Sequence, residues 1–292
     1  MLIFYAIVLL NFFVKLISGA PYQNSTVKVI AHKRDLIDLS RFGERLFGYP
    51  DVEAGEKLSK LNANSTENPE EVGPYLEGDL LVPHDKKLPF RNGLLAYSAR
   101  WPGAIVPYEI HGSYTKKELA VIEHAFQEYH SKTCIRFKPR SYERDYIDIT
   151  NDKSGCWASV GRLGGRQVVN LQAPLCFRQY GTSLHELMHA VGFMHEQNRP
   201  ERDSYIRILS ENIKPHMLEN FAKGSARKQY DFGVPYDYAS VMHYSKKSFS
   251  KNGQPTIEAL KQTKEAQLMG QRIGFSVSDL AKLNAMYNCR IN

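Results

Sequence analysis

Apolar and polar positions follow two different periods along this chain, and the switches between them mark its elements. Thr115-Lys116-Lys117-Glu118 has the form of a capping box, and Leu119, Ile122, Phe126 and Tyr129 then fall on one helical face, which predicts a helix to about Ser131. Runs that alternate or stay apolar over strand lengths surround it: Ile105 to Ile110, Cys134 to Phe137, Tyr146 to Thr150 and Gln167 to Leu171. A second helix is expected from about Thr182 to Val191, and a last amphipathic one from Ser276 to Tyr287. Helices on a mixed twisted sheet in an N-terminal lobe, followed by a loop-rich C-terminal lobe, predict an α+β domain with its site at the floor of the cleft between lobes.

Before residue 92 the pattern changes. Residues 1–20 carry an apolar run, Leu2 to Leu10, then a mixed stretch ending in Ser18-Gly19-Ala20. This reads as a signal peptide, because the apolar core is short and is interrupted by Asn11 and Lys15. No other segment has the apolar length of a transmembrane helix, so a secreted, extracellular product without membrane association is expected. Residues 21–91, termed the leader, are polar and broken, and the stretch 62–71 reads as a loop or linker too hydrophilic to fold alone. Asn24 and Asn64 head Asn-Ser-Thr glycosylation patterns that do not recur after residue 91, so any N-linked sugar would leave with the leader. Residues 92–292 have the size of one domain, with no internal repeat and no added interaction domain.

Charge sharpens this division. The 292-residue chain has a formal net charge of +7, with 10 Lys/Arg against 12 Asp/Glu in the leader and 27 against 19 after it. The basic residues are scattered without interleaved aromatics, which argues for a solvated surface and against a nucleic-acid partner. Cys134, Cys156, Cys176 and Cys289 form an even set in a secreted chain, favouring two disulfides over thiol chemistry or a cysteine zinc site. Three pairings are open on the sequence alone.

The candidate chemistry lies in His185-Glu186-Leu187-Met188-His189-Ala190-Val191-Gly192-Phe193-Met194-His195-Glu196. Residues four apart share a helix face, so His185 and His189 can aim two imidazoles at one Zn²⁺ while Glu186 holds a water. His195 is too far along a straight helix to join them. Gly192, free to take a left-handed conformation, supplies the turn that brings it back. A bare HExxH run also fits an ordinary amphipathic helix, but the glycine and third histidine are independent matches. Ser240-Val241-Met242-His243-Tyr244 stands downstream in a polar, turn-like setting.

These two runs together resemble the astacin family of metzincin zinc metalloproteases. The similarity extends from Trp101-Pro102-Gly103-Ala104 to Tyr287-Asn288-Cys289, with Gly270-Gln271-Arg272 also fitting. The resemblance implies a zinc metalloendopeptidase that holds one Zn²⁺ per chain through His185, His189 and His195, and acts on protein or peptide substrates as a monomer. Glu186 would be the general base, Met242 the Met-turn beneath the metal, and Tyr244 a fifth ligand that swings away to support the oxyanion. It pairs Cys134 with Cys289 and Cys156 with Cys176, and it lays the substrate along Cys156 to Val160. Lys246 stands where some members that favour acidic residues after the cleaved bond carry Arg.

The leader completes the picture of a zymogen. Leu76-Glu77-Gly78-Asp79 resembles the FxGD latency motif, with Leu76 in place of the aromatic residue, Gly78 allowing close backbone approach to a metal, and Asp79 occupying the place of the catalytic water. Arg91-Asn92 is the expected activation bond, and its single Arg suggests a trypsin-like activating protease. By the resemblance, the amine freed at Asn92 meets Glu196. A binding module that keeps the metal without catalysis is disfavoured by the intact Glu186, three histidines and latency peptide.

Overall fold

The computed structural model describes residues 37–38, 47–61, 65, 67–83, 94–95, 100–224 and 232–290, all within one compact unit, Lys33–Asn292. The signal peptide, Asn24, Asn64 and the Arg91-Asn92 bond lie outside the described residues. Two short pairings, β1 (Ile37–Asp38) with β4 (Leu94–Leu95) and β2 (Phe47–Gly48) with β3 (Val82–Pro83), flank helix α1 (Val52–Ser59). Asp51 caps α1 by accepting the Glu53 N–H at 2.7 Å. Strands β5 (Ile105–Ile110), β6 (Arg136–Pro139), β7 (Tyr146–Thr150), β8 (Cys156–Ala158) and β9 (Arg166–Leu171) make one sheet in the order β6-β5-β7-β9-β8. Its first four strands are parallel and β8 runs antiparallel at the edge, so the fold is α+β with a mixed sheet.

In β7, Ile147 and Ile149 are fully buried, each such side chain worth about 1.5–3 kcal/mol. Asp148, between them, is buried too, and is satisfied by Arg166 at 2.6 Å and His111 at 2.7 Å. Helix α2 (Lys116–Lys132) starts at the expected capping box, Thr115 with Glu118. Its packed face begins one turn later than the pattern suggests, at Ile122, followed by Ala125, Phe126 and Tyr129, while Leu119 in the first turn is 39% exposed. Phe126 stacks on Phe137 of β6 at 4.7 Å, and the Tyr129 hydroxyl donates to the Leu184 carbonyl of α3 (Tyr180–Ala190) at 3.1 Å. The core thus fixes where α3 lies.

Beyond α3 the chain is mostly turns and short 3₁₀ segments around a second core that includes Phe221, Tyr236, Tyr238, Tyr244, Phe249 and Ile257. One ribbon, β10 (Ile206–Ile208) with β11 (Ile257–Ala259), braces it. Helix α4 (Val277–Met286), capped by Ser276 with Asp279, returns to the first core through Leu283 and Met286. Cys134 is joined to Cys289 beyond α4, and Cys156 to Cys176. With loops of 155 and 20 residues, such links contribute about 3–5 kcal/mol each in the chain-entropy account. Among the described residues no helix is long and apolar enough to cross a membrane.

The leader departs from its polar reading. The stretch expected as loop or linker ends in a 3₁₀ turn, Pro69–Val72, and Asn68, Glu70 and Glu71 are buried. Hydrophilic residues pack here because each finds a partner: Glu70 pairs with Arg272, and Glu71 accepts from the Ser245 N–H at 2.7 Å.

Candidate metal centre

Helix α3 presents His185 and His189 one turn apart on a wholly buried face. It ends at Gly192, whose φ of 115° is accessible to glycine and places the Phe193 N–H on the Met188 carbonyl at 3.1 Å. The chain then doubles back, and the Glu196 N–H donates to the Met242 carbonyl at 3.0 Å, fixing His195 against the second signature run. That run is held in turn by Asp279 of α4, which accepts from the Ser240 hydroxyl at 2.6 Å and the Val241 N–H at 2.8 Å.

One carboxylate and three imidazoles converge as a result. The ligand atoms of Asp79, His185, His189 and His195 all lie within 4.8 Å of one another, and all four residues are buried. Asp79 Oδ2 is 3.0 Å from His185 Nε2 and 3.2 Å from His195 Nε2, while Oδ1 is 3.5 Å from His189 Nε2. His185 Nε2 stands 3.1 Å from His189 Nε2 and 3.3 Å from His195 Nε2. The outer nitrogens settle the tautomers: His185 Nδ1 donates to the Val241 carbonyl at 2.8 Å, and His189 Nδ1 to the Phe193 carbonyl at 2.7 Å. In neutral rings, Nε2 lone pairs therefore face each other and a carboxylate, an arrangement that a shared cation satisfies. Ligands about 2.1 Å from a tetrahedral zinc stand about 3.4 Å apart, so the donor set fits that ion.

The charges of the cluster act strongly on one another. Burial alone would raise Asp79 and lower His195, but their mutual attraction, joined by His189 and by Glu77, holds Asp79 well below the carboxylate range and lifts His195 to about 9. His185 is lowered by burial and by the Arg272 guanidinium. Glu186 is fully buried, and neither of its oxygens has a hydrogen-bond partner among the described residues. Burial, then the charges of Asp79 and Glu70, raise it well above the usual carboxylate value. A carboxyl so placed is poised to take up and release a proton.

The other residues singled out by the sequence lie at varied distances from this chemistry. Met242 is buried beside Val241. The Tyr244 hydroxyl donates to the Glu77 carbonyl at 2.5 Å. His243 is engaged away from the cluster, donating from Nδ1 to the Tyr244 carbonyl and accepting the Tyr236 hydroxyl, both at 2.7 Å. Glu196 has both oxygens taken, by Arg199 at 2.8 Å and the Asp237 N–H at 2.9 Å on one side and the buried Lys282 ammonium at 2.7 Å on the other. Lys246 is half-buried, donating to Gln267 at 2.8 Å.

Several partners escaped the sequence reading. The leader runs beside edge strand β8, where the Ala158 N–H donates to the Asp79 carbonyl at 2.9 Å and the Leu81 N–H to the Ala158 carbonyl at 3.1 Å. Gly78, with φ 89°, is needed for this turn, since a Cβ there would lie 2.9 Å from the Phe249 ring. Arg272 is fully buried, bonding Glu70 with Nε and donating from Nη1 to the His243 carbonyl at 3.2 Å. Glu77 bonds His195 Nδ1 at 2.8 Å. The Glu70-Glu71 pair ahead of a buried tyrosine was the one local hint, because adjacent acids seldom lie beside packed aromatics without a cationic partner.

A mixed sheet set over two histidines of one helix and a third brought back by a glycine turn is a metzincin-type metal-binding domain. The family profile described as Astacin, a peptidase family, matches residues 95–288, and the chain belongs to that family. Zinc metalloproteinase nas-8 of Steinernema carpocapsae is 46% identical over 200 residues, 68% of this chain and 47% of that protein. Zinc metalloproteinase nas-4 of Caenorhabditis elegans is 42% identical over 226 residues, 75% and 70% of the two chains. Against nas-8 the chain thus spans about half the relative's length. Among solved structures, high choriolytic enzyme 1 (HCE-1), a hatching enzyme zinc-protease from Oryzias latipes, is 39% identical with a TM-score of 0.59, covering 65% of this chain and 94% of that one.

Proposed function

We propose that this chain is a secreted zinc-dependent metalloendopeptidase, made as a latent proenzyme and activated by cleavage near Arg91-Asn92 by a trypsin-like protease. Residues 1–20 would be the signal peptide, 21–91 the propeptide and 92–292 the peptidase domain, a monomer acting on proteins or peptides. The observation that carries the reading is Asp79: a leader carboxylate lies among His185, His189 and His195, beside a buried Glu186 whose oxygens have no hydrogen-bond partner among the described residues.

Zinc held by the three histidines would supply Lewis acidity and lower the pKa of a water. Once Asp79 leaves, Glu186, buried next to His185 on the same helix, would accept the proton of that water and pass it to the leaving amine. The Tyr244 hydroxyl, freed from the Glu77 carbonyl, becomes a donor for the developing oxyanion. Ala158 N–H and C=O, paired with the leader, become available to an extended substrate backbone, giving affinity with little sequence demand. An acidic preference is better assigned to Arg272 than to Lys246, which Gln267 engages, because removal of Glu70 leaves the buried guanidinium without its carboxylate. A new terminus at Asn92 would share Glu196 with Lys282.

Trypsin-treated full-length protein should cleave casein, and a zinc chelator should stop it. Glu186→Gln should retain zinc and lose at least ~10²-fold in turnover. Chelator-insensitive cleavage, or a variant near wild type, would sink the assignment.

A further inference from the structure

The outer nitrogens of the three histidines do not have equivalent partners. His185 and His189 donate to carbonyls of Val241 and Phe193, both within the peptidase region. His195 alone donates to a leader group, Glu77 Oε2 at 2.8 Å, and both side chains are buried. Glu77 is engaged through its backbone as well. Its N–H donates to Asn220 Oδ1 at 3.1 Å, and its carbonyl accepts the Tyr244 hydroxyl. Its φ of 50° is uncommon outside glycine, and with Gly78 at 89° it turns two leader carboxylates in different directions: Asp79 into the cluster and Glu77 to the far side of one ring.

We propose that Glu77 is the second arm of the latch, a positioning residue that fixes the third ligand and the Tyr244 phenol in the latent chain. The inference rests on the zinc proenzyme reading above. A carboxylate that accepts Nδ1–H orients a ligand imidazole and makes it more basic, and loss of such a partner elsewhere costs 10–100-fold in metal affinity. The leader therefore blocks the site with Asp79 and also tightens the hold of His195 on the metal. When it departs, His195 and Tyr244 are released in one event, because both are bound to the same residue.

Zinc release to a competing chelator tests this on full-length proenzyme. Glu77→Gln should release zinc roughly tenfold faster than wild type. Activated enzymes made from the two should be identical, since neither retains residue 77. With cobalt substituted for zinc, the visible spectrum of the Glu77→Gln proenzyme should shift toward that of activated enzyme. Glu70→Gln controls for general loosening, because it weakens the leader at Arg272 without touching His195 and should leave the spectrum unchanged. Equal zinc release with superimposable cobalt spectra for wild type and Glu77→Gln overturns the inference alone. A wild-type proenzyme that binds no zinc overturns the zinc reading and this inference with it.

Discussion

The sheet and the docked leader are both buried and share apolar contacts, but only the leader adds a row of ionisable groups to them. Around β7 and α2 the contacts are apolar: Ile147, Ile149, Ile122, Phe126 and Tyr129 close a core whose members have no use for ionisation. The leader packs Leu58, Leu76 and Leu80 into that core and is bound besides through ionisable groups, Glu70 on Arg272, Glu71 on Ser245, Glu77 on His195 and Asp79 among three histidines. An apolar core has no alternative partner and stays shut. A charged interface costs desolvation at every group, so its net strength is small beside its contact list, which suits the release that the proposed activation requires.

The largest effect should come from the apolar side. Phe126→Ala should destabilise the activated enzyme by about 3–5 kcal/mol, read as a lower guanidinium midpoint, with no gain in activity of the uncut chain. Next, Glu70→Ala should leave Arg272 short of its carboxylate and weaken the leader's hold by about 3 kcal/mol. Background cleavage by the uncut protein would then rise about a hundredfold, while unfolding of the activated form stays unchanged. A silent variant would place the leader's affinity in Leu76 and Leu80 instead.

Acidity should separate the two regions further, in opposite senses. Burial lowers His243 to about 4, so between there and 6.5 the unfolded chain binds a proton that the fold refuses. Stability of the body should fall by about 3 kcal/mol as pH drops through that window, measurable by denaturant unfolding at each pH, and a flat profile would remove His243 from the account. Glu71 is raised, first by burial and against the pull of Arg272, so the docked leader takes up a proton there. Docking should accordingly weaken as pH rises above the free value of 4.5. This is the smallest effect, to be read as inhibition of activated enzyme by separate leader peptide, and Glu71→Gln should remove it.

How much of this was legible depended on sequence distance. The capping box at Thr115, the strand runs and the spacing of His185, His189 and Gly192 are local, and the elements formed within a few residues of expectation. The strand expected at Cys134 begins at Arg136, since Cys134 is drawn off to Cys289. Helix α1 was missed because it lies in a polar stretch and its buried Ala54, Gly55 and Leu58 make no strong stripe. Arg272 stood in the sequence as a family-like residue without a role, because its partner Glu70 is 202 positions away. Lys246, nearer to the signature in sequence, is half-buried and donates to Gln267.

By itself the sequence determined the donor set: which atoms could bind a metal, that a helix would pair two of them, and that a glycine would return the third. Those follow from helix pitch and the freedom of one backbone angle, which act over a dozen residues. Only the tertiary structure decided which groups complete the charge balance: Glu77 behind His195, Lys282 on Glu196, Asp279 under the Ser240 turn, and Glu70 on Arg272. Pairing of buried charges depends on what else is brought into the same low-dielectric space, and no local pattern encodes that.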